Sequence, residues 1–469
     1  MKNFKNTNLK TALILGLFSF AFISCEREIS DQAVLTTFSK DGSIFIDAFS
    51  GGLDYFPFGD SYQEAFSVDT KEVYQGSASM RFDIPVFGAG YGGANFPTSS
   101  PRDLSGYDAL TFWAKASKGA IINEIGFGLT ESNGNKYRAV RSNLPITTQW
   151  RKYIVPIPDP SKLTQETGLF WYAEGAQNAN DEGGYTFWLD EVQFEKLGTV
   201  AQPRPAILNS QNIAQQTFIG SAITIDGLTQ TFNLEDGTNP AVGAAPGYFD
   251  FETSDASVAT VDEFGKVTVT GAGTAKITAS IGGVTAEGSL QLESLGPFTP
   301  APTPTVNASN VISIFSDAYV NKQVDYYNGY WAPFQTTLGQ NDININGDNI
   351  IKYSELNFVG IQFTQPTINV SGMTHFHIDV RVEEAMQASD FLVVRLVDIG
   401  SDNAFGGGND TSGEVRLTPS TLSTNNWASY DVQLSTLSSL RGKFNLAQIV
   451  FVTDASIKNI LVDNIYFYK

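Results

Sequence analysis

Residues 41–200 and 299–469 carry the same series of short segments in the same order. "IFIDAFSGG" in the first stretch matches "SIFSDAYVN" in the second, and "YQGSASMRFDI" matches "INGDNIIKYSE". "DLSGYDALTFWAKAS" matches "NVSGMTHFHIDVRVE", "QWRKYIVPI" matches "NWASYDVQL", and the stretches end on "FWLDEVQFEK" and "ILVDNIYFYK". Apolar and polar residues alternate within these segments, and turn residues separate them, which is typical of β-strands. The sequence therefore predicts two copies of one β-sandwich.

Two Pro-rich segments, 199–209 and 295–310, separate these copies from a middle stretch. Such segments are typical of stiff connectors between domains. The middle stretch contains "SDASVATVD", a tight "FGKV" hairpin and the alternating segment "GAGTAKITAS". With 469 residues, the chain has room for about three domains. We therefore predict an all-β protein with domains at 41–200, 201–298 and 299–469.

The outer two stretches resemble the galactose-binding-like jelly rolls of non-catalytic carbohydrate-binding modules. The first looks most like family-11-type modules through its early Asp strand, its "Y-x-G-x-x-S-x-x-F" segment and its late "L-D-E-V-x-F-E". The last resembles the C-terminal modules of bacterial family-16 laminarinases through "VISIFSDAY", "GMTHFHIDV" and "VDNIYFYK". The middle stretch resembles bacterial Ig-like domains of group 2, which act as spacers in surface proteins. These resemblances imply two jelly-roll domains on either side of an Ig-like spacer.

The chain begins with a basic segment, an apolar run and then Cys25, which is its only cysteine. The run is too short to span a bilayer comfortably, so residues 1–24 are predicted to be a secretory signal. This arrangement resembles the lipoprotein signals of Bacteroidetes, with Phe22 where Leu is usual. The acidic start of the linker, residues 25–40, is similar to their surface-export signal. The resemblance implies a lipid on Cys25 and an outer-membrane protein that faces outside.

Several classes of function are disfavoured by the composition. A net charge of −20 offers no basic surface for the phosphates of nucleic acid. The two histidines, His375 and His377, share one face of a strand, where a polar sheet surface is expected and half of a metal site is the alternative. No Ser-His-Asp set can be assembled, and the acidic "LDEVQFE" is a closing strand that lacks the "E-x-D-x-x-E" of the laminarinases. We therefore expect a protein that is not an enzyme.

Aspartates occupy equivalent places in the two copies, Asp47 and Asp190 in the first and Asp317 and Asp463 in the second. Each pair joins a first strand to a last one, so its two carboxylates would meet. Neighbouring carboxylates repel unless a cation lies between them, and Ca²⁺ prefers oxygen ligands. The resemblance to jelly-roll modules implies structural Ca²⁺ in one or both outer sandwiches. The alternative is that each Asp accepts hydrogen bonds from backbone N–H groups or pairs with a Lys.

Aromatic residues concentrate in the turn-rich segment "DYYNGYWAPF", residues 325–334. Planar rings can stack on the apolar faces of sugars while Asn, Gln and Asp bind the hydroxyls. The laminarinase-linked modules have a Trp segment at the same place. The first copy has counterparts in "DYFPFGDSY", "FGAGYGGANF" and "GLFWYAEG". The predicted glycan-binding residues, each of which could instead fold back onto a core, are Trp331, Tyr330, Tyr327, Tyr326, Tyr55, Tyr91, Trp171 and Tyr172.

These features favour a non-catalytic surface protein that binds polysaccharide. The acidic charge favours a neutral glycan, and the company kept by the laminarinase-linked modules suggests laminarin, a β-1,3-glucan. Such a protein would capture glycan for a SusC/SusD-type uptake system in a polysaccharide-utilisation locus. Two alternatives stay open: an adhesin-like or structural protein of the cell envelope, and a β-sandwich glycoside hydrolase.

Overall fold

A computed structural model describes residues 37–130, 134–176, 183–329 and 331–469. The leader, Cys25 and Tyr330 lie outside the described residues. The chain is a multi-domain all-β protein. Its described helices are single 3₁₀ turns, at Gln63–Ala65, Pro160–Lys162, Leu208–Ser210, Pro246–Tyr248 and Ala308–Asn310. None of the helices in these ranges is long and apolar enough to cross a membrane.

The first domain is a sandwich of two antiparallel sheets. One sheet has the order β10-β7-β12-β1-β2, with β5 also paired to β12 and β4 to β5, and the facing sheet contains β9-β8-β11-β6-β3. Alternate residues of these strands are buried between the sheets, among them Phe82, Phe112 and Phe170. The strands are β1 (Ser43–Ile46), β2 (Ala48–Phe49), β3 (Phe56–Pro57), β4 (Phe66–Asp69), β5 (Ser79–Val86), β6 (Gly92–Arg102), β7 (Ala109–Ala116), β8 (Ala120–Phe127), β9 (Ala139–Ile146), β10 (Arg151–Pro156), β11 (Glu166–Glu174) and β12 (Gly183–Glu195).

The middle domain packs a sheet of order β14-β23-β21-β18, with β22 paired to β21, on a sheet of order β15-β20-β19. Its core includes Val267, Ala275 and Leu292, which alternate with exposed polar residues as the sequence pattern predicts. The strands are β13 (Ala201–Ala206), β14 (Asn212–Ile219), β15 (Ala222–Thr224), β16 (Thr229–Asn233), β17 (Ala241–Ala244), β18 (Asp250–Thr253), β19 (Ala259–Val261), β20 (Lys266–Val269), β21 (Gly273–Ile281), β22 (Val284–Thr285) and β23 (Ser289–Pro297).

The third domain is again a sandwich, with one sheet of order β26-β27-β34-β29-β32 and a facing sheet of order β25-β28-β33-β30-β31. Strand β24 pairs with β34. The strands are β24 (Val311–Phe315), β25 (Tyr326–Gly329), β26 (Leu338–Ile345), β27 (Asp348–Ser354), β28 (Phe358–Gln362), β29 (His375–Val382), β30 (Leu392–Asp398), β31 (Thr411–Leu417), β32 (Trp427–Gln433), β33 (Leu446–Val452) and β34 (Ile460–Tyr468).

The segments that repeat in the sequence form strands that have the same order in the sheets of both outer domains. The series β10-β7-β12-β1 in the first domain corresponds to β32-β29-β34-β24 in the third, and β9-β8-β11-β6-β3 corresponds to β31-β30-β33-β28-β25. Both closing strands carry an irregularity at an Asp, and the next residue has left-handed backbone, Glu191 with φ 49° and Asn464 with φ 50°. The two outer domains are therefore the same fold down to a local distortion.

The first junction differs from the expected connector. The Pro-rich segment 199–209 contains strand β13, and β13, β16 and β17 extend the facing sheet of the first domain to the order β13-β16-β17-β9-β8-β11-β6-β3. Pro203 and Pro205 are tolerated because β13 is the edge strand, where a missing N–H costs little. The first and middle domains consequently share one eight-stranded sheet.

Side chains reinforce this junction. Tyr248 of the middle domain is buried, and its hydroxyl donates to the carbonyl of Tyr137 at 2.8 Å. Lys162 and Asp250 form an ion pair at 3.1 Å across the same boundary. Exposed ion pairs contribute little stability, so the shared sheet and the buried Tyr248 hold the junction.

A small apolar cluster joins the middle domain to the third. The indole N–H of Trp427 donates to the carbonyl of Thr299 at 2.8 Å, and the guanidinium of Arg381 lies 5.1 Å from the ring of Phe218. The cluster contains Phe218, Phe298, Ile343, Ile345, Ile350, Trp427 and Leu461. Both junctions are therefore packed interfaces.

Glu166, at the start of β11, is a buried carboxyl with 1% exposure. One of its oxygens accepts hydrogen bonds from the N–H groups of Thr167 and Gly168 at 2.9 and 2.7 Å. The other oxygen is buried and has no hydrogen-bond partner. Burial raises the pKa of Glu166 from 4.5 to about 7, because removal from water penalises the charged form.

Candidate functional site

The outer domains each present the outer face of one sheet. In the first domain this is the face of β3, β6, β11, β8 and β9 that points away from the core, here called the N-terminal face. Ala94 and Phe96 of β6 face the core, so Asn95 between them faces outward. By the same alternation Trp171 of β11 lies on the N-terminal face.

One row of register partners crosses the N-terminal face. Phe56 is opposite Asn95, and Asn95 is opposite Trp171. Trp171 is opposite Gly126, which is opposite Val140. Since neighbouring strands are about 4.8 Å apart, this row extends for about 19 Å. Trp171 and Val140 are buried, with 2% and 5% exposure, so the row measures the length of the face and Phe56 is its most exposed member.

A cleft of about 590 Å³ opens at the β3 end of this row. Phe56 is 57% exposed at its edge, and the ring of Phe58 lies directly on Gly93, where a Cβ would be 2.8 Å from the ring. The amide of Asn95 donates to the carbonyl of Leu129 at 2.9 Å, while its side-chain oxygen is buried without a partner. The cleft therefore offers aromatic rings and amide groups, which suit the apolar faces and the hydroxyls of a sugar.

Tyr91 and Tyr55, both predicted to contact glycan in the first domain, have different surroundings. Tyr91 lies at the edge of the N-terminal face, where its hydroxyl donates to the carbonyl of Gly59 at 2.9 Å. Tyr55 is half-buried, with its ring centroid 5.0 Å from that of Phe66 and 5.2 Å from that of Phe96. Tyr55 thus caps the core, and its neighbours Phe56 and Phe58 line the cleft instead.

Trp171 and Tyr172 are both buried, one on each side of the sheet. Trp171 is 2% exposed, its indole N–H donates to the carbonyl of Phe127 at 3.4 Å, and the guanidinium of Arg138 lies 5.2 Å from its ring. Arg138 therefore presents the surface above Trp171. Tyr172 packs in the core, 4.5 Å from the ring of Phe82. The expected direct glycan contact is corrected for both residues, because the ring of Tyr172 has no exposed surface and that of Trp171 lies beneath Arg138.

The equivalent surface of the third domain, here called the C-terminal face, is the outer face of β25, β28, β33, β30 and β31. Val359 and Ile361 of β28 are in the core, so Phe358, Gly360 and Gln362 face outward. The indole of Trp331 lies on Gly360, and its ring stacks on that of Phe358 at 6.3 Å and 20°. Any side chain at position 360 would displace the indole, so Gly360 allows Trp331 to lie against the sheet.

Polar side chains continue the C-terminal face across the sheet. The side-chain oxygen of Gln362 accepts hydrogen bonds from the hydroxyl of Tyr326 at 2.7 Å and from the amide of Gln448 at 2.9 Å. Arg395 and Glu414 pair at 2.8 Å on the next two strands. An aromatic edge beside a row of amides and charges is again suited to a hydroxylated ligand.

Tyr326 and Tyr327 of "DYYNGYWAPF" lie on opposite sides of the sheet. Tyr326 lies on the C-terminal face, where its hydroxyl receives a hydrogen bond from the indole N–H of Trp331 at 3.4 Å. Tyr327 turns inward, and its hydroxyl donates to the carbonyl of Ile314 at 2.9 Å. Burial raises the pKa of Tyr327. The expected glycan contact is therefore corrected for Tyr327, which closes the core.

The aspartates of the first domain are engaged by backbone. Asp47 accepts hydrogen bonds from the N–H groups of Ser77 and Ala78, and these bonds lower its pKa. Asp190 accepts from Tyr74 N–H and from Glu191 N–H, each at 2.8 Å. This is the alternative arrangement that the sequence left open. The bonds to Asp47 both end on Oδ1, whereas both oxygens of Asp190 accept, so Asp190 is the more fully engaged of the two.

In the third domain, neighbouring carboxylates are buried and repel each other. Asp463 is 3% exposed, and burial, with repulsion from Asp348, Asp317 and Asp379, raises its pKa to about 8. Burial and Asp317 raise the pKa of Asp348 to about 6, and one oxygen of Asp348 is buried without a partner. Both oxygens of Asp317 accept from Asn349 at 2.6 Å. In the described ranges no group of three or more His, Cys, Asp or Glu is arranged to hold a metal, so a cation here would also need amide, carbonyl or water oxygens.

The histidines form part of a polar sheet face. His377 contacts Asp431 at 2.8 Å and Asp379 at 3.5 Å, and it stacks on Tyr466. Burial lowers the pKa of His377, but the hydrogen bonds and charges of the two aspartates outweigh it, so the pKa is raised overall. His375 stacks on the ring of Tyr468. The arrangement agrees with the interpretation of these residues as a polar face.

Two parts of the chain match known families. Residues 40–196 match the model of carbohydrate-binding domain 30, and residues 242–283 match that of the intimin immunoglobulin-like domain. None of the curated proteins matches the chain. The first match is to family 30, whereas the sequence motifs resemble family 11.

Solved structures of carbohydrate-binding modules are also similar. A family 30 module has 19% identity and a TM-score of 0.25, covering 33% of this chain and 87% of its own. A family 11 module from Clostridium thermocellum, in complex with a β-1,3-1,4-mixed-linked tetrasaccharide, has 15% identity and a TM-score of 0.22, covering 30% and 86%. The tandem family 22 modules of Paenibacillus barcinonensis Xyn10C have 11% identity and a TM-score of 0.20, covering 93% and 100%.

The family match relates the first domain to carbohydrate-binding domains. Residues 40–196 are similar to a carbohydrate-binding jelly roll, which supports non-catalytic binding of glycan. The middle of the chain is similar to an Ig-like domain.

Proposed function

We propose that this protein binds a polysaccharide at the cell surface without cleaving it. The observation that carries the proposal is the match of residues 40–196 to carbohydrate-binding domain 30, in the domain that holds the cleft of Phe56, Phe58 and Asn95. An open cleft lined by the rings of Phe56 and Phe58 can bind sugars by stacking on their apolar faces. Binding of this kind needs no reacting group.

The proposed ligand is a neutral β-glucan, with laminarin as the first candidate. The net charge of −20 disfavours sulfated and uronic glycans, because like charges repel. The β-1,3 linkage is suggested by the resemblance of the third domain to modules attached to laminarinases. We propose the C-terminal face as a second binding site, since two sites on one chain raise the overall affinity for a long polymer.

The cellular role follows from the start of the chain. A basic segment, an apolar run and Cys25 support a lipid anchor in the outer membrane. A glycan-binding protein anchored there would hold polysaccharide outside the cell for a SusC/SusD-type transporter and for neighbouring hydrolases. This is the proposed partner system.

Affinity electrophoresis of residues 26–469 in gels that contain single polysaccharides tests the function. We expect laminarin or mixed-linkage β-glucan to slow migration, and Trp331→Ala to weaken the effect about tenfold, or roughly 1.4 kcal/mol, because the ring on Gly360 is lost. The matched control is Phe264→Ala, which removes an exposed ring from the middle domain.

Three outcomes would contradict the proposal or part of it. Unchanged migration in laminarin, mixed-linkage glucan, xylan, mannan and starch would favour a structural or adhesive role. Release of reducing ends during incubation would favour the hydrolase alternative. A Trp331→Ala variant that migrates like the parent would remove the C-terminal face from the proposal and leave the N-terminal face.

We further propose a structural Ca²⁺ in the third domain, held by Asp348 and Asp463 together with amide, carbonyl or water oxygens. The buried oxygen of Asp348 that lacks a partner supports this assignment, because a cation would satisfy it. The ion would neutralise carboxylates that repel each other and would hold the closing strand to its neighbours. We propose the ion for the third domain because both oxygens of Asp190, the first-domain counterpart of Asp463, accept hydrogen bonds from N–H groups.

Calcium should therefore stabilise the third domain alone. At tenfold above its dissociation constant, Ca²⁺ adds on the order of 1.4 kcal/mol, which raises the melting temperature by about 3–6 °C, and EDTA reverses the shift. Calorimetry of Asp348→Asn should show no response to calcium, while Asp47→Asn, the matched change in the first domain, should respond like the parent. A parent protein whose melting is insensitive to both calcium and EDTA would contradict the site.

A further inference from the structure

We infer that the cleft of the N-terminal face continues across the junction onto the middle domain, forming one composite site for an extended polysaccharide. The inference rests on the proposed function of this face. It adds that residues outside the carbohydrate-binding domain contact the ligand, and that the ligand is recognised along the interior of its chain.

The shared sheet is the first observation. In the third domain the equivalent face ends at β31, which pairs only with β30 among the described strands. In the first domain β9 is not an edge, because β17 pairs with it through Gly243 opposite Val140 and Ala244 opposite Ala139. Ala139 and Ala244 belong to the core, so Val140 and Gly243 lie on the outer face. The row of Phe56, Asn95 and Trp171 therefore continues onto the middle domain.

A second cleft is the next observation. It has a volume of about 330 Å³ and lies over this junction. Arg138 and Val140 line it from the first domain, and Leu228, Gly243, Ala245 and Pro246 line it from the middle domain. Asn135 lines both this cleft and the larger one beside Phe56. The two clefts therefore adjoin along one face.

The residues between the clefts suit a hydroxylated polymer. Arg138 covers Trp171 at the centre of the row and carries several N–H donors for hydroxyl oxygens. Gly243 has no side chain to fill the cleft, and a Cβ there would lie 2.9 Å from a methyl of Val140. With five strand spacings from Phe56 to Gly243, the composite row is about 24 Å long, against about 19 Å for the first domain alone. A ligand that fills it must be an extended chain of several sugars.

Chain length is the variable that tests the inference. Isothermal titration calorimetry with laminari- and cello-oligosaccharides of graded length would be run on residues 26–469 in a Trp331→Ala background, in which the C-terminal face is weakened and the N-terminal face dominates. Ala245→Tyr places a ring in the junction cleft and keeps the N–H group that donates to the carbonyl of Arg138 at 2.8 Å. Ala201→Tyr is the matched control, because Ala201 is exposed on the edge strand β13 and lines neither cleft.

We expect the affinity of the parent to rise with length until the composite row is filled. Ala245→Tyr should weaken binding of the longest oligosaccharides about tenfold, or roughly 1.4 kcal/mol, and leave the shortest that bind unchanged. Unchanged short-ligand affinity also shows that the variant is folded. Equal affinities of Ala245→Tyr, Ala201→Tyr and parent at every length would overturn the composite site while the proposed function stands. Absence of binding at every length would overturn both.

Discussion

Replacement of both Phe56 and Phe58 by alanine should reduce the affinity of the N-terminal face for polysaccharide by roughly a hundredfold. Each ring is expected to contribute about 1.4 kcal/mol, or a factor of ten, when it stacks on a sugar. Phe56 is exposed, and Phe58 lies over Gly93 outside the core, so the fold should tolerate the change. Calorimetry in the Trp331→Ala background measures the effect with the C-terminal face weakened.

Tyr62→Ala is the control for this pair of substitutions. Tyr62 is an exposed ring from the same segment, but its hydroxyl donates to Glu64 and the residue does not line the cleft. Its loss should leave the affinity within about twofold of the parent, or roughly 0.4 kcal/mol. If the double variant binds as well as the control does, the cleft beside Phe56 is not the binding site.

Glu166→Gln should make the protein more stable at pH 8 and should bring no gain at pH 4. The pKa of Glu166 is 4.5 in the unfolded chain and about 7 in the folded one, a difference that corresponds to roughly 3 kcal/mol. Because the folded pKa is the higher one, the folded state holds its proton more tightly. Below pH 4.5 the carboxyl therefore does not lower the free energy of unfolding. It lowers that free energy increasingly as the pH rises to about 7, and by a constant amount above that value. Glutamine carries no charge and avoids this cost.

Urea unfolding of variant and parent at a series of pH values measures the difference, in which the other titrating groups cancel. Glu174→Gln is the matched control on the same strand, because both oxygens of buried Glu174 accept hydrogen bonds, one of them from the Tyr185 hydroxyl at 2.9 Å. Glutamine there replaces an acceptor by a donor and should destabilise the protein. A Glu166→Gln gain that does not change between pH 4 and pH 8 would show that desolvation of the charge is not its cause.

The fold was largely predictable from the sequence, because strands of a sandwich alternate apolar and polar residues. Alternation located the matched segments on equivalent strands of the two outer domains. It did not show which residue of an aromatic pair faces the core. In "DYF" the tyrosine packs inward and Phe56 outward, whereas in "DYY" Tyr326 is outward and Tyr327 inward. A shift of one residue in register reverses the faces, and register depends on partners distant in the sequence.

The shared sheet could not be predicted for the same reason. The hairpin of β16 and β17 is local, but its pairing with β9 joins residues about a hundred positions apart. Pro203 and Pro205 indicated a connector, and only the position of β13 at a sheet edge makes a strand possible there. Ser77 is 30 positions from Asp47 and Tyr74 is 116 from Asp190, so the sequence could state two alternatives for these aspartates without choosing between them.

The pairing of β14 with β23 has a mechanical consequence. These are the strands by which the chain enters the sandwich of the middle domain and leaves it, and they run parallel from Asn212 opposite Ser289 to Ile219 opposite Pro297. Tension that pulls the outer domains apart along the strands would load all of these hydrogen bonds together in shear, instead of opening them one after another. This geometry would suit the proposed role of holding polymer against fluid flow. Hydrogen bonds that share the force resist separation of the two strands better than bonds that break one after another.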